Sequence, residues 1–194
     1  MASLLVIRHA PTDWNQQHRF QGRTDLPLSE AGRATALAWH PPGGARSLPW
    51  FTSPLTRAVD TGMLMGLQAR IEPRLIEMDW GHWEGRTLAE LRASGALTPD
   101  LERQGLELRP PGGETPREVL ERLRPWLREV GRSGASAGAI SHNGVLRVLY
   151  ALATGWDLCS RPPVKLLTGH AHRFQLDQAG SLTIDRLNIP LRKS

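Results

Sequence analysis

The chain has 194 residues, 40% of them hydrophobic and 22% charged, the balance of a globular protein able to bury a substantial core; one domain over 1–194 is expected. No apolar run approaches the ~20 residues that cross a bilayer. Arg8 interrupts the N-terminal apolar stretch too early for a signal peptide, so the expectation is no membrane partner and a cytoplasmic location. The lone Cys159 excludes an internal disulfide, and the net charge of +5 comes mostly from arginines interleaved with 19 acids, a field that suits small anions and not nucleic acid.

In chain order, residues 3–7 read as a short buried strand that delivers an adjacent Arg8-His9 pair to a polar loop, 8–28, long enough to signal function. Ser29 caps a helix over 30–40, which PPGG at 41–44 stops. A second strand covers Leu48 to Thr52, and Ser53-Pro54 reads as the N-cap and first residue of a helix with Ala58, Thr61, Leu64 and Met65 on one face. After a third strand near 69–72 comes a turn-rich loop holding Glu77, Trp80, Trp83 and Glu84, then a helix over 87–94 and a Pro- and Gly-rich loop over 98–113. Thr115, Pro116 and Glu118 form a capping box for a long helix that Pro125 is expected to kink. A small-residue linker, 131–138, leads to a strand at 138–141, a helix at 144–154 ended by Gly155, and two strands near 167–176 and 181–187. His170 and His172 read as a strand rim and not as metal ligands.

Strands alternating with helices argue for an α/β three-layer sandwich with a mostly parallel central sheet, its last strands open to an antiparallel arrangement. Three motifs then occupy equivalent places at strand ends: Arg8-His9 after the first strand, Arg57 in the turn after the second, and His142 after the strand AGAIS. In open α/β sheets those ends line one crevice. Helix starts at Ser53 and Asn143 would turn backbone N–H groups toward it. An anion is expected there.

The ordered set RHA-x-T-x-WN, FQG, LSEAGR, SPLTRA, LIEMDWGHWEG and SHNG, running from about residue 4 to 150, resembles the histidine phosphatase superfamily, also called phosphoglycerate mutase-like. The resemblance implies that fold, and that His9 attacks phosphorus to become phosphohistidine while Arg8, Arg57 and His142 clamp the phosphoryl oxygens. It implies that Glu77 protonates the leaving oxygen and then activates water, with Glu84 in the same loop as the alternative. Asn15 and the Gln21-Gly22 turn would touch the phosphate. Ala10 and Asn143 stand where the family usually has glycine, and Asn143 would add a donor near the phosphate. Trp80, with Trp14 and Trp83, would supply an aromatic rim able to stack on a flat ring.

Elementary chemistry adds its own demands. The attacking nitrogen of His9 must be unprotonated, so the other should donate to a carbonyl, and Arg8 beside it disfavours imidazolium. Two guanidinium forks match phosphate oxygens. The expected activity is metal- and cofactor-independent hydrolysis of a small phosphate ester. Alternatives are a cofactor-dependent phosphoglycerate mutase, an alpha-ribazole-phosphate phosphatase of cobalamin synthesis, and a phosphate-binding regulatory protein without turnover. Leu88, where the mutases are expected to place a lysine, weighs against the first. A homodimer is left open.

Overall fold

Val, Ile and Leu in β1 (Ala2–Arg8) have no polar face, and the strand lies inside the sheet with helices on both sides. The computed structural model describes residues 1–191; residues 192–194 of the expected 1–194 domain lie outside the described residues. After β1 the chain forms α1 (Asp13–Gln16), α2 (Glu30–Leu37), β2 (Trp50–Thr52), α3 (Thr56–Leu64), β3 (Ala69–Ile71), α4 (Leu88–Ala93) and α5 (Pro99–Glu102). The remainder is α6 (Pro116–Ser133), β4 (Ala137–Ser141), α7 (Asn143–Thr154), β5 (His170–Leu176) and β6 (Leu182–Pro190).

The six strands form one sheet in the order β3-β2-β4-β1-β5-β6. The first four are parallel, and β5 runs antiparallel to both β1 and β6. Side chains alternate across β1. Leu4 and Val6 join the core under α6 and α7, whereas Leu5 and Ile7 join the core under α2 and α3. That is the expected three-layer α/β sandwich, its parallel part extended by an antiparallel pair.

Register places the site. Arg8 pairs with Ser141, and Thr52 pairs with Ile140, so β1, β2 and β4 end at one height. The ladder continues one step further: His9 N donates to the Ser141 carbonyl (2.9 Å), and Ser53 N to that of Ile140 (3.0 Å). His9, Ser53 and His142 therefore leave the sheet side by side.

Local signals locate most helices. Ser29 caps α2, accepting from Gly32 N at 3.0 Å, and Thr115 with Glu118 forms the full capping box of α6. Gly155 closes α7 in the left-handed region. Four expectations need correction. Ser53 is not the cap of α3; the N-cap is Leu55, because Ser53 is still held in the sheet ladder. The free backbone N–H and hydroxyl of Thr56 are instead bound by the two carboxylate oxygens of Asp25, at 2.9 and 2.8 Å. The 98–113 stretch contains α5, with Thr98 accepting from Leu101 N and Pro99 opening the helix. The linker shrinks to 134–136, since α6 persists to Ser133 through an exposed Pro125. Finally, His172 is no rim residue: it is fully buried on β5 opposite Val6.

Candidate active site

A cavity of about 570 Å³ opens at the carboxyl ends of β1, β2 and β4. Of the residues expected to form the site, Arg8, His9, Asn15, Gln21, Arg57, Glu77, Trp80 and Asn143 all line it. His142 and Gly22 do not; both lie directly behind the wall and hold residues that do.

His9 is buried, and its Nδ1 lies 2.7 Å from the Ala10 carbonyl. A carbonyl only accepts, so Nδ1 carries the proton and Nε2 keeps its lone pair. Burial, then the neighbouring charges of Arg8 and Arg57, push the imidazole well below its ordinary pKa, which keeps it neutral and nucleophilic. The His142 ring stands 5.1 Å away, centroid to centroid. Its Nδ1 accepts from Arg57 Nε at 3.3 Å, so its Nε2 is the protonated nitrogen and donates to Ser53 Oγ at 2.7 Å. Burial, then the charge of Arg57 with Arg8 and Arg122 further off, pushes His142 well below its ordinary pKa, and it is likewise held neutral.

Arg57 enters from the first turn of α3 and is fully buried. Beyond His142 it donates to the carbonyls of Thr24 (2.9 Å) and Gly22 (2.6 Å). Three of its five N–H groups are thereby spent, and two remain for a ligand. Gly22 has a φ of +55°, and a Cβ there would meet Glu84 Oε1 at 1.8 Å, so only glycine turns its carbonyl onto Arg57. Arg8 donates through Nη1 to Thr168 Oγ1 at 3.3 Å, while its buried Nε has no partner. Gln21 Oε1 accepts from Thr12 Oγ1 and Asn15 Nδ2, and its buried Nε2 also has none. Two orphaned donors beside the fully buried Arg57 guanidinium are costly to leave unmet, and they add to the positive field at the cavity wall.

Glu77 is buried, with Oε1 accepting from Met78 N (2.8 Å) and Oε2 from Gly144 N at the start of α7 (3.1 Å). A Cβ on Gly144 would lie 2.4 Å from Glu77 Oε1, so glycine admits the carboxylate to that helix end. Arg122 of α6 holds the loop by donating to the carbonyls of Ile76 (2.7 Å) and Glu77 (3.3 Å). Glu84 is spent elsewhere: it accepts from Arg23 N, Thr24 N, Thr24 Oγ1 and Trp80 N, and it does not line the cavity. Trp80 packs on Phe20 (4.6 Å between centroids), Trp83 is buried behind it, and Trp14 covers Gly85 outside the cavity.

Sequence reasoning passed over Thr168, the partner of Arg8, and the lining residues Phe20 and Arg19. Thr168 carried no local signal, because it meets Arg8 from 160 positions away. Phe20 sits within the FQG motif and was there to be found.

The chain spans about half the length (52%) of a bifunctional protein of Mycobacterium tuberculosis, to which it is 32% identical over 196 residues covering 93% of this chain. It is 33% identical over 163 residues to a glucosyl-3-phosphoglycerate phosphatase of Mycobacterium tuberculosis, covering 76% of this chain and 73% of that protein. A solved mycobacterial glucosyl-3-phosphoglycerate phosphatase, complexed with VO3, superposes with a TM-score of 0.82 at 28% identity, over 97% of this chain and 100% of that one. A 2,3-bisphosphoglycerate-dependent phosphoglycerate mutase 2 of Gloeobacter violaceus is 35% identical over 167 residues, 77% of this chain and 74% of that protein. The histidine phosphatase superfamily (branch 1) matches residues 4–190, and this chain belongs to it.

Proposed function

We propose that this chain is a phosphomonoesterase that hydrolyses a small phosphate ester through a phosphohistidine at His9, without a metal. The observation that carries the reading is the Nδ1–H bond from His9 to the Ala10 carbonyl, which leaves Nε2 unprotonated inside a cavity walled by Arg8 and Arg57. Nε2 attacks phosphorus as the P–O bond to the alcohol breaks, and the leaving oxygen takes a proton from Glu77. The Glu77 carboxylate then removes a proton from water, which attacks phosphorus, and the P–N electron pair returns to Nε2. Such transfer asks little of a protein beyond positioning and charge neutralisation. Arg8, Arg57 and the Gln21 amide face the phosphoryl oxygens, Asn15 holds Gln21 in place, and Asn143 offers a further donor at the cavity wall. His142 aligns Arg57 behind His9, and Gly22 supplies the carbonyl that fixes Arg57.

Leu88 lines the cavity where the mutase reading asks for a cation, which favours hydrolysis over phosphoryl return to the substrate. The test is release of phosphate from p-nitrophenyl phosphate in the presence of chelator, by wild type and His9→Ala. Chelator-insensitive turnover that disappears in the variant is expected. No release from any member of a phosphometabolite panel, or an active His9→Ala, would overturn the reading. Alpha-ribazole phosphate belongs in that panel, because the Phe20–Trp80 wall suits a flat ring. Incubation with monophosphoglycerates and 2,3-bisphosphoglycerate should yield free phosphate, and interconversion of the monophosphates would establish the mutase instead.

A further inference from the structure

A second cavity of about 480 Å³ adjoins the first, sharing Arg8, Asn143 and Thr168 with it. Its walls come from α7 and from the segment that follows it. Arg147, Lys165 and Arg8 supply three cationic groups, and no Asp or Glu among the described residues lines it. The floor is apolar and aromatic, with Tyr150 and Trp156 packed edge to face at 5.9 Å. Arg147 lies one helical turn beyond Asn143, so both reach the same face of α7. Its guanidinium rests 5.0 Å over the Trp156 ring and makes no hydrogen bond or ion pair among the described residues. Arg147 is exposed to solvent, so a ligand in the cavity can reach it.

The Trp156 face draws the guanidinium to this position, and its N–H groups remain available to an anion. Arg147 meets no carboxylate among the described residues, whereas Arg74, Arg109 and Arg122 are each tied to a glutamate and are not free for a ligand. The site built around His9 has no use for Arg147, because Arg8 and Arg57 already face the phosphoryl position.

We infer that this second cavity binds an anionic group on the alcohol half of the substrate, with Arg147 as the specificity-determining residue and Lys165 in support. The substrate class is then a phosphate ester whose alcohol bears a carboxylate or a second phosphate, long enough to pass Arg8 from one cavity to the other. This rests on the phosphomonoesterase reading above and deepens it.

The experiment compares kcat/KM for phenyl phosphate and for its 3- and 4-carboxyphenyl counterparts, with phenyl-1,3-bisphosphate to separate a carboxylate from a second phosphate. Wild type should favour at least one doubly anionic ester over phenyl phosphate. In Arg147→Met that preference ratio should fall roughly 10- to 100-fold, the loss expected for one charge-assisted pair, mainly through KM. Arg147→Lys should restore part of it. Lys165→Gln, at an exposed position where folding is not at stake, should lower the ratio less. Hydrolysis with no preference in wild type, or a ratio unchanged in both Arg147→Met and Lys165→Gln, would overturn the inference alone. A wild type inert toward all the esters would overturn the phosphomonoesterase reading and this one with it.

Discussion

Glu77 and Glu84 share a loop, but their oxygens have different occupations. Glu84 takes four donors from the 22–24 turn and from Trp80, leaving it a staple for the turn whose carbonyls hold Arg57. Glu77 takes one backbone donor on each oxygen and lines the cavity. If Glu77 is the proton donor, Glu77→Gln should slow hydrolysis of alkyl phosphates roughly 10²–10⁴-fold. The effect on p-nitrophenyl phosphate should be far smaller, because nitrophenolate leaves without a proton. Glu84→Gln turns an amide N–H₂ against existing N–H donors. It should cost about 1–3 kcal/mol of stability and slow both substrates alike. A plot of kcat/KM against leaving-group pKa distinguishes the two, and a steepened slope in Glu84→Gln would move the role to that residue.

At the scale of elements, helix starts divide by where their caps come from. Thr115 caps α6 from its own chain neighbourhood, so the capping box was legible in sequence. α3 borrows its cap from Asp25, 31 positions upstream, and the Ser53-Pro54 signal pointed to a boundary two residues early. α6 also carries an exposed proline inside an unbroken helical span. Pro125 lacks an N–H and its ring crowds the carbonyl four residues back, so the surrounding core bears a local cost of up to about 3 kcal/mol. The apolar stripe of Val119, Leu123, Trp126, Leu127 and Val130, all buried, outweighs it. Pro125→Ala should therefore raise stability by about 1–3 kcal/mol, read as a higher urea midpoint at unchanged slope. A drop in midpoint would mean that the proline shapes the helix in a way the core requires.

For the molecule as a whole, buried neutral histidines link stability to pH. His9 and His142 sit well below the ordinary histidine pKa, and desolvation lowers His172 to about 4. The unfolded chain protonates these groups near pH 6.5 while the folded chain resists until lower pH. Their contribution is therefore complete above about pH 6.5 and is lost as pH falls toward the folded values. His172 alone should account for roughly 2 kcal/mol between neutral pH and pH 5. The salt-bridged carboxylates Glu72 and Glu129, whose partner Arg74 lowers them, titrate below that window and do not mask it. Urea unfolding near pH 7.5 and pH 5 checks this, and in His172→Phe the difference should shrink by that amount. An unchanged difference would place the acid sensitivity elsewhere.

The strands, most helices and the positions of Arg8, His9, Arg57 and His142 at strand ends followed from the chain alone. Side-chain periodicity and caps act within a few residues, and parallel strands bring their carboxyl ends to one edge. The different surroundings of Glu77 and Glu84, the turning of His142 toward Ser53 and Arg57, the Asp25 cap and the meeting of Arg8 with Thr168 appear only in the folded structure. Each depends on which groups from distant segments meet once the chain is packed, a matter of tertiary structure that no local pattern encodes.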